Sequence, residues 1–273
     1  MNDYKTKLDK IFTEDSYTSK DKIEDKGIVA NGYRNKDYLT MLKKARKIHK
    51  LALIQIPDLN EAIDTVSVTG QHLITLAVHD INITNDEIHK IVITFPSLET
   101  LSFKDTKIID QDLKPIGALQ NLTELYINYN MQFTGSGLKY LQQLSNLTML
   151  ALSHNNIGDD GLRYLAALKN LTNLNLANNK VTDKGLKHLQ LLKSLTLLRL
   201  DNMNITDEGL KYLQSLKGLT SLHLDNNKIT NKGLKYLAAL KNIEYLFTHG
   251  NNKITKQGIQ QLKQALPNAN IYT

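Results

Sequence analysis

The sequence predicts an α/β solenoid bent as a horseshoe, with a parallel β-sheet on the concave side and helices on the convex side. Three observations predict it. Asn146 to Lys241 is four tandem 24-residue stretches sharing the pattern N-L-T-x-L-x-L-x-x-N-x-I-T-D-x-G-L-K-x-L-x-x-L-K. Within each stretch the apolar spacing changes from two residues to three, from strand to helix. A unit this short cannot bury both its strand and its helix leucines, so it needs a copy on either side.

The second unit shows why each element forms. Leu174 and Leu176 alternate towards one face while Asn173, Asn175 and Ala177 point the other way, which makes a short strand. Asn179 then stands where the apolar pattern turns inward, so its amide has to bond backbone groups of a neighbouring coil, and such asparagines stack as a ladder. Thr182 and Asp183 read as a helix N-cap, and Gly185 permits close approach in the first turn. Leu186, Leu189 and Leu192 follow at helical spacing and face the core.

In chain order, residues 1 to 46 read as a helical N-terminal cap or extension and 47 to 273 as the solenoid, about nine coils. Short helices are expected before residue 38. An amphipathic helix is expected from Lys36 to Lys50, with Leu39, Leu42 and Ala45 inward and a solvated basic face of Lys43, Lys44, Arg46, Lys47 and Lys50. Leu51 and Leu53 suit a degenerate first strand, while Ile63, Val66 and Val68 read as strand-like. Degenerate coils follow over 72–96 and 97–120, with Ile81 and Thr106 in place of the ladder asparagine. Residues 121 to 266 are regular, except for single extra residues near Met131 and Asn252, and 267 to 273 form a C-terminal cap with a closing strand. Met203 replaces the ladder asparagine in one regular coil, so local irregularity is expected there.

Composition excludes several classes. Cysteine is absent, which removes disulfides, thiolate metal sites and a cysteine nucleophile. The start is charged with no apolar signal-peptide core, and nowhere do 18 apolar residues run together. The expected location is therefore the cytoplasm, or a host cell reached by a route without a cleaved signal. The net charge of +7 is concentrated in residues 1 to 50, with 13 Lys/Arg against 8 Asp/Glu, so no nucleic-acid or membrane partner is expected.

The N-x-I-x-D-x-G-L-x-x-L run, clearest in Asn155 to Leu165 and Asn204 to Leu213, resembles the leucine-rich repeat proteins of the ribonuclease-inhibitor-like class, especially the 24-residue GALA variant of bacterial effectors. The resemblance spans roughly residues 72 to 273. Gly-Leu stands where GALA repeats have Gly-Ala, and residues 1 to 50 carry no F-box pattern. The resemblance implies protein recognition on the concave sheet, in an effector of a bacterium living in or on host cells.

Outward strand positions form columns on the concave face. The partner-binding candidates read from them are Tyr126, Tyr129, Met149, His154, Asn175 and Leu197, with Arg199, Asp201, His223, Asp225, Tyr245 and Phe247 on later coils. Tyrosine, methionine and arginine are types enriched in interface hot spots. On the helix side Lys139, Arg163, Lys187, Lys211 and Lys235 form one column and Tyr140, Tyr164, His188, Tyr212 and Tyr236 the next; this reads as a solvated face with lysine stems over rings.

No phosphate-binding loop, dinucleotide fingerprint, H-E-x-x-H or G-x-S-x-G occurs, and the histidines lack metal-ligand spacing. Asp159 and Asp160 suit a helix start better than paired catalytic carboxylates. The expectation is a monomeric, non-enzymatic binding module without cofactor or metal. Two alternatives stand beside it: a substrate-recognition subunit of a ubiquitin ligase, and a GTPase-activating regulator using Arg199.

Overall fold

The computed structural model describes residues 27–32, 37–44, 48–68 and 72–273. Eleven strands lie in chain order in one wholly parallel sheet. They are β1 (Ile28–Asn31), β2 (Lys50–Ile54), β3 (Thr75–His79), β4 (Thr100–Lys104), β5 (Glu124–Asn128), β6 (Met149–Ala151), β7 (Asn173–Asn175), β8 (Leu197–Arg199), β9 (Ser221–His223), β10 (Tyr245–Phe247) and β11 (Asn270–Tyr272). The returns carry α1 (Tyr38–Lys44), α2 (Leu59–Ser67), α3 (Asn85–Thr94), α4 (Leu113–Ile116), α5 (Asp159–Leu162), α6 (Asp183–Leu186), α7 (Asp207–Leu213), α8 (Asn231–Leu237) and α9 (Lys256–Ala265). Between β5 and β6 the return is a 3-10 segment, Ser136–Leu141, and α5 and α6 each run on into 3-10 turns. A strand with its return is a coil, numbered by its strand. This is a leucine-rich repeat solenoid.

The N-terminal region differs from the sequence reading. Strand β1 lies inside the stretch read as a helical extension and pairs in register with β2, Ile28 opposite Leu51, so the sheet begins before residue 47. Of the helix expected over Lys36–Lys50, the described residues form α1, which buries Tyr38 and Leu42, while Lys50 belongs to β2 instead. The short helices expected over residues 1–26, together with Ala45, Arg46 and Lys47, fall outside the described residues. The strand expected at Ile63 to Val68 is instead helix α2, started by the Asp58 carboxylate, which accepts from the Glu61 amide at 2.9 Å. Ile63 and Val66, three apart, share its buried side; spacing outweighs the strand preference of β-branched residues.

Three inter-coil ladders hold the regular coils. In the first, Asn155, buried, donates to the carbonyls of Ile127 in the preceding coil and Leu152 in its own, and accepts the Asn130 amide. Asn179, Asn227 and Asn251 repeat this in coils 7, 9 and 10, accepting from Ile157, Ile205 and Ile229. The second is threonine: the hydroxyls of Thr148, Thr172, Thr196 and Thr220 each donate to the carbonyl 24 or 25 residues earlier. In the third, Asp159 accepts both the amide and hydroxyl of Thr182 in the next coil, at 2.7 Å each, and Asp183 and Asp207 treat Thr206 and Thr230 likewise. This explains the glycine of three regular coils: a Cβ on Gly185, Gly209 or Gly233 would run into the Asp159, Asp183 or Asp207 carboxylate of the coil before. Asp159 is thus engaged in stacking.

Where Met203 interrupts the first ladder, the irregularity expected from the sequence is present. No acceptor among the described residues takes the Val181 amide, the counterpart of the Ile157 amide that Asn179 satisfies. The next residue, Asn204, turns left-handed at φ 60°, as Lys107 does after Thr106 at the same repeat position. Restoring the ladder should therefore stabilise the protein. Met203→Asn is expected to raise unfolding free energy by about 1 kcal/mol in urea titration, the net worth of one buried hydrogen bond; no gain, or a loss, would show that the left-handed Asn204 leaves no room for the carboxamide.

Candidate functional site

The parallel register sets the outward residues in columns. The middle column runs Ser102, Tyr126, Ala151, Asn175, Arg199, His223, Phe247 and Tyr272, one residue per strand from β4 to β11. The column on its N-terminal side includes Glu124, Met149, Asn173, Leu197, Ser221 and Tyr245. Just past the strands stands one left-handed residue per coil, among them Tyr129 (φ 61°), His154 (56°) and Asn178 (57°). Their amides each bond a carbonyl of the next coil, Tyr129 to Ser153 and His154 to Ala177, and this fixes the rim of the face.

The twelve candidate residues separate by exposure. Tyr126 is 1% exposed and, with Met149 and Ala151, forms a small buried cluster on the outward side of the sheet; its hydroxyl donates to Glu124 at 2.9 Å. Asn175 and Asp201 are buried as well, Asn175 accepting the Ala177 amide and Asp201 the Asp225 amide. Asp225 in turn accepts the His249 amide at 2.7 Å. These residues brace the face from within. Tyr129 and Tyr245 are 46% and 45% exposed, while His154, Leu197, Arg199, His223 and Phe247 are half-buried.

The exposed members fall into two groups. On the rim of coils 4 to 7, Lys104 lies 5.7 Å from the Tyr129 ring centre, Tyr129 stacks on His154 at 4.2 Å, and His154 Nε2 pairs with the side-chain Nδ2 of Asn178 at 3.2 Å. On coils 9 to 11, His223, Phe247 and Tyr272 form a continuous ring stack, with centroids 4.2 and 4.7 Å apart, beside Tyr245. Arg199 Nε lies 3.2 Å from Asp201 Oδ2, next to this stack. Tyr272 escaped the sequence reading, although extending the Phe247 column one strand further would have found it. On the helix side, cations lie over rings, Lys139 4.9 Å from the Tyr140 centre and Arg163 4.7 Å from that of Tyr164.

Burial dominates the electrostatics. It lowers the His223 pKa to about 3, assisted by Arg199, and that of His79 to about 4, assisted by Lys104; His79 Nε2 lies 3.0 Å from Ser102 Oγ. Burial raises Asp201, against the pull of Arg199 and the Asp225 amide. Both histidines are neutral when folded, while the unfolded chain takes up their protons near pH 6.5. Their stabilisation is therefore complete above pH 6.5 and lost as pH falls towards 4 for His79 and 3 for His223. Asp201 has the opposite sign, since its cost is relieved on acidification. From pH 7.5 to 5 the His79 contribution should fall by about 2 kcal/mol. Urea titrations at the two pH values should show a smaller loss in His79→Asn; an identical loss would mean that His79 is protonated in the folded state.

Among the described residues no helix is long and apolar enough to cross a membrane. The leucine-rich repeat family profile matches residues 143–166, 167–189 and 218–238. No curated protein matches the sequence significantly. Among solved structures, an internalin (inlF) from Listeria monocytogenes is similar at 21% identity and a TM-score of 0.58, over 87% of this chain and 76% of that one. TLR13, in its complex with ssRNA13, is similar at 18% identity and a TM-score of 0.61, over 85% of this chain; the similarity spans 36% of the TLR13 chain.

Proposed function

We propose that this leucine-rich repeat solenoid is a non-enzymatic module that captures a protein partner on its sheet face, as an effector of a bacterium acting on a host protein. The observation that carries the reading is the placement of the stacked rings. Tyr129 with His154, and His223 with Phe247 and Tyr272, are held in fixed order by strand register, with flanking residues already hydrogen-bonded. A rigid aromatic surface loses little side-chain entropy on binding, which favours affinity. Tyr129, His154, Leu197, Arg199, His223, Tyr245 and Phe247 make the contacts; Tyr126, Met149, Asn175, Asp201 and Asp225 hold the surface in shape.

The arrangement argues against Arg199 as a charge donor to a GTPase transition state, because its guanidinium is paired with Asp201. The test is retention of a partner from eukaryotic lysate, identified by mass spectrometry and measured again with purified partner. Tyr129→Ala combined with Phe247→Ala should weaken binding by more than about 100-fold, two hot-spot truncations of roughly 2 kcal/mol each. Tyr126→Phe, which removes only a hydroxyl bonded to Glu124, should leave affinity within a few fold. Undiminished binding by the double variant, with its circular dichroism unchanged, would move the site off the sheet face.

A further inference from the structure

The solenoid's charge is strongly polarised along its axis. Residues 51–145 hold 5 Lys/Arg against 11 Asp/Glu, whereas 146–273 hold 16 against 8. The most exposed large apolar side chains of the helix side share one repeat position: Val68 (79% exposed), Ile93 (67%) and Leu191 (54%) each follow the first residue of β2, β3 and β7 by 18. Single exposed apolar residues need no explanation, but three in one column along the solenoid do. The same position holds exposed Ala118 in coil 4 and Ala167 in coil 6.

We propose that two copies of the chain pair antiparallel through this helix-side strip, the acidic half of each against the basic half of the other. A two-fold axis lying in the contact plane, crossing the solenoid between coils 4 and 5, reverses the order of the coils and keeps each repeat position opposite itself. Coil 2 then faces coil 7 and coil 3 faces coil 6. Val68 meets Leu191, and Ile93 meets Ala167. Seven and four residues before Val68 stand Glu61 and Asp64, both exposed; at the corresponding places before Leu191 stand the exposed Lys184 and Lys187. Asp64 already lies 2.8 Å from Lys90 in its own chain, so Glu61 brings the less engaged carboxylate. Lys184 and Lys187 line an open groove of about 830 Å³ together with Lys180 and Arg163; of the two aspartates in its lining, Asp159 is engaged by Thr182 and Asp160 remains exposed. Around the axis Lys114 faces Lys139 across a polar centre. The charge separation favours a second copy because the same two patches complete each other twice, and the sheet face stays open.

The test is molar mass against concentration by sedimentation equilibrium at low and high salt. Wild type should dimerise, more weakly at high salt as surface charge is screened. Glu61→Lys/Asp64→Lys makes both patches basic and Lys184→Glu/Lys187→Glu makes both acidic, so each variant alone should dimerise at least about tenfold more weakly. Mixed one to one, the two should form a heterodimer, since at both copies of the coil 2–coil 7 contact the patches at positions 61/64 and 184/187 are again of opposite charge. Leu191→Glu should also weaken dimerisation, and Lys139→Glu should strengthen it. All these positions are exposed, and circular dichroism checks each fold. A wild type monomeric at several hundred micromolar and low salt would overturn the proposal, as would charge-reversed variants that dimerise like wild type or fail to associate when mixed.

Discussion

Every coil of this protein depends on hydrogen bonds that only the next coil can supply. Burying Asn155, Asn179, Asn227 and Asn251 would be costly if their amides found no partner, and each finds carbonyls and an amide in two successive coils. The Thr148 to Thr220 hydroxyls and the Asp159, Asp183 and Asp207 carboxylates add two further ladders at the same spacing. Because these bonds run between copies, the repeat length is constrained; an extra residue has to be expelled into a turn, as at exposed Met131. Stability is accordingly a nearest-neighbour property.

That constraint divides the surface. Outward residues that bond backbone amides are drawn into the framework of the sheet face, as Asp201 and Asp225 are by the next coil and Asn175 is by its own. What remains free is what no neighbouring coil requires: the stacked rings at the rim and on the last strands, and the charged and apolar positions of the helix side. The two faces thus offer different chemistry. Rings fixed by backbone register suit a shaped partner surface, while long, mobile lysines and carboxylates suit a contact set by overall charge.

The solenoid architecture, the strand and helix of each regular coil, the asparagine ladder and its break at Met203 were legible in the sequence, because period, alternation and burial of a polar residue follow from local spacing. The N-terminal coils were less so. Ile63 and Val66 looked strand-like when residue type was weighed above their spacing, and β1 has only four residues, too few for a period to declare itself. The candidate face was legible as columns, since alternation decides which residues point outward. Exposure was not: Tyr126 and Met149 point outward and are nevertheless buried by lateral packing with Ala151.

The sequence by itself determined the repeat, the parallel order of strands and the identity of each column, since these depend on spacing along one chain. Only the tertiary structure decided which outward residues remain available, that Tyr272 completes the His223 and Phe247 stack, and that Val68, Ile93 and Leu191 lie in one strip. The reason is distance: those relations join residues from 24 to over 120 positions apart, and lateral contact between coils exists only once the coils have stacked.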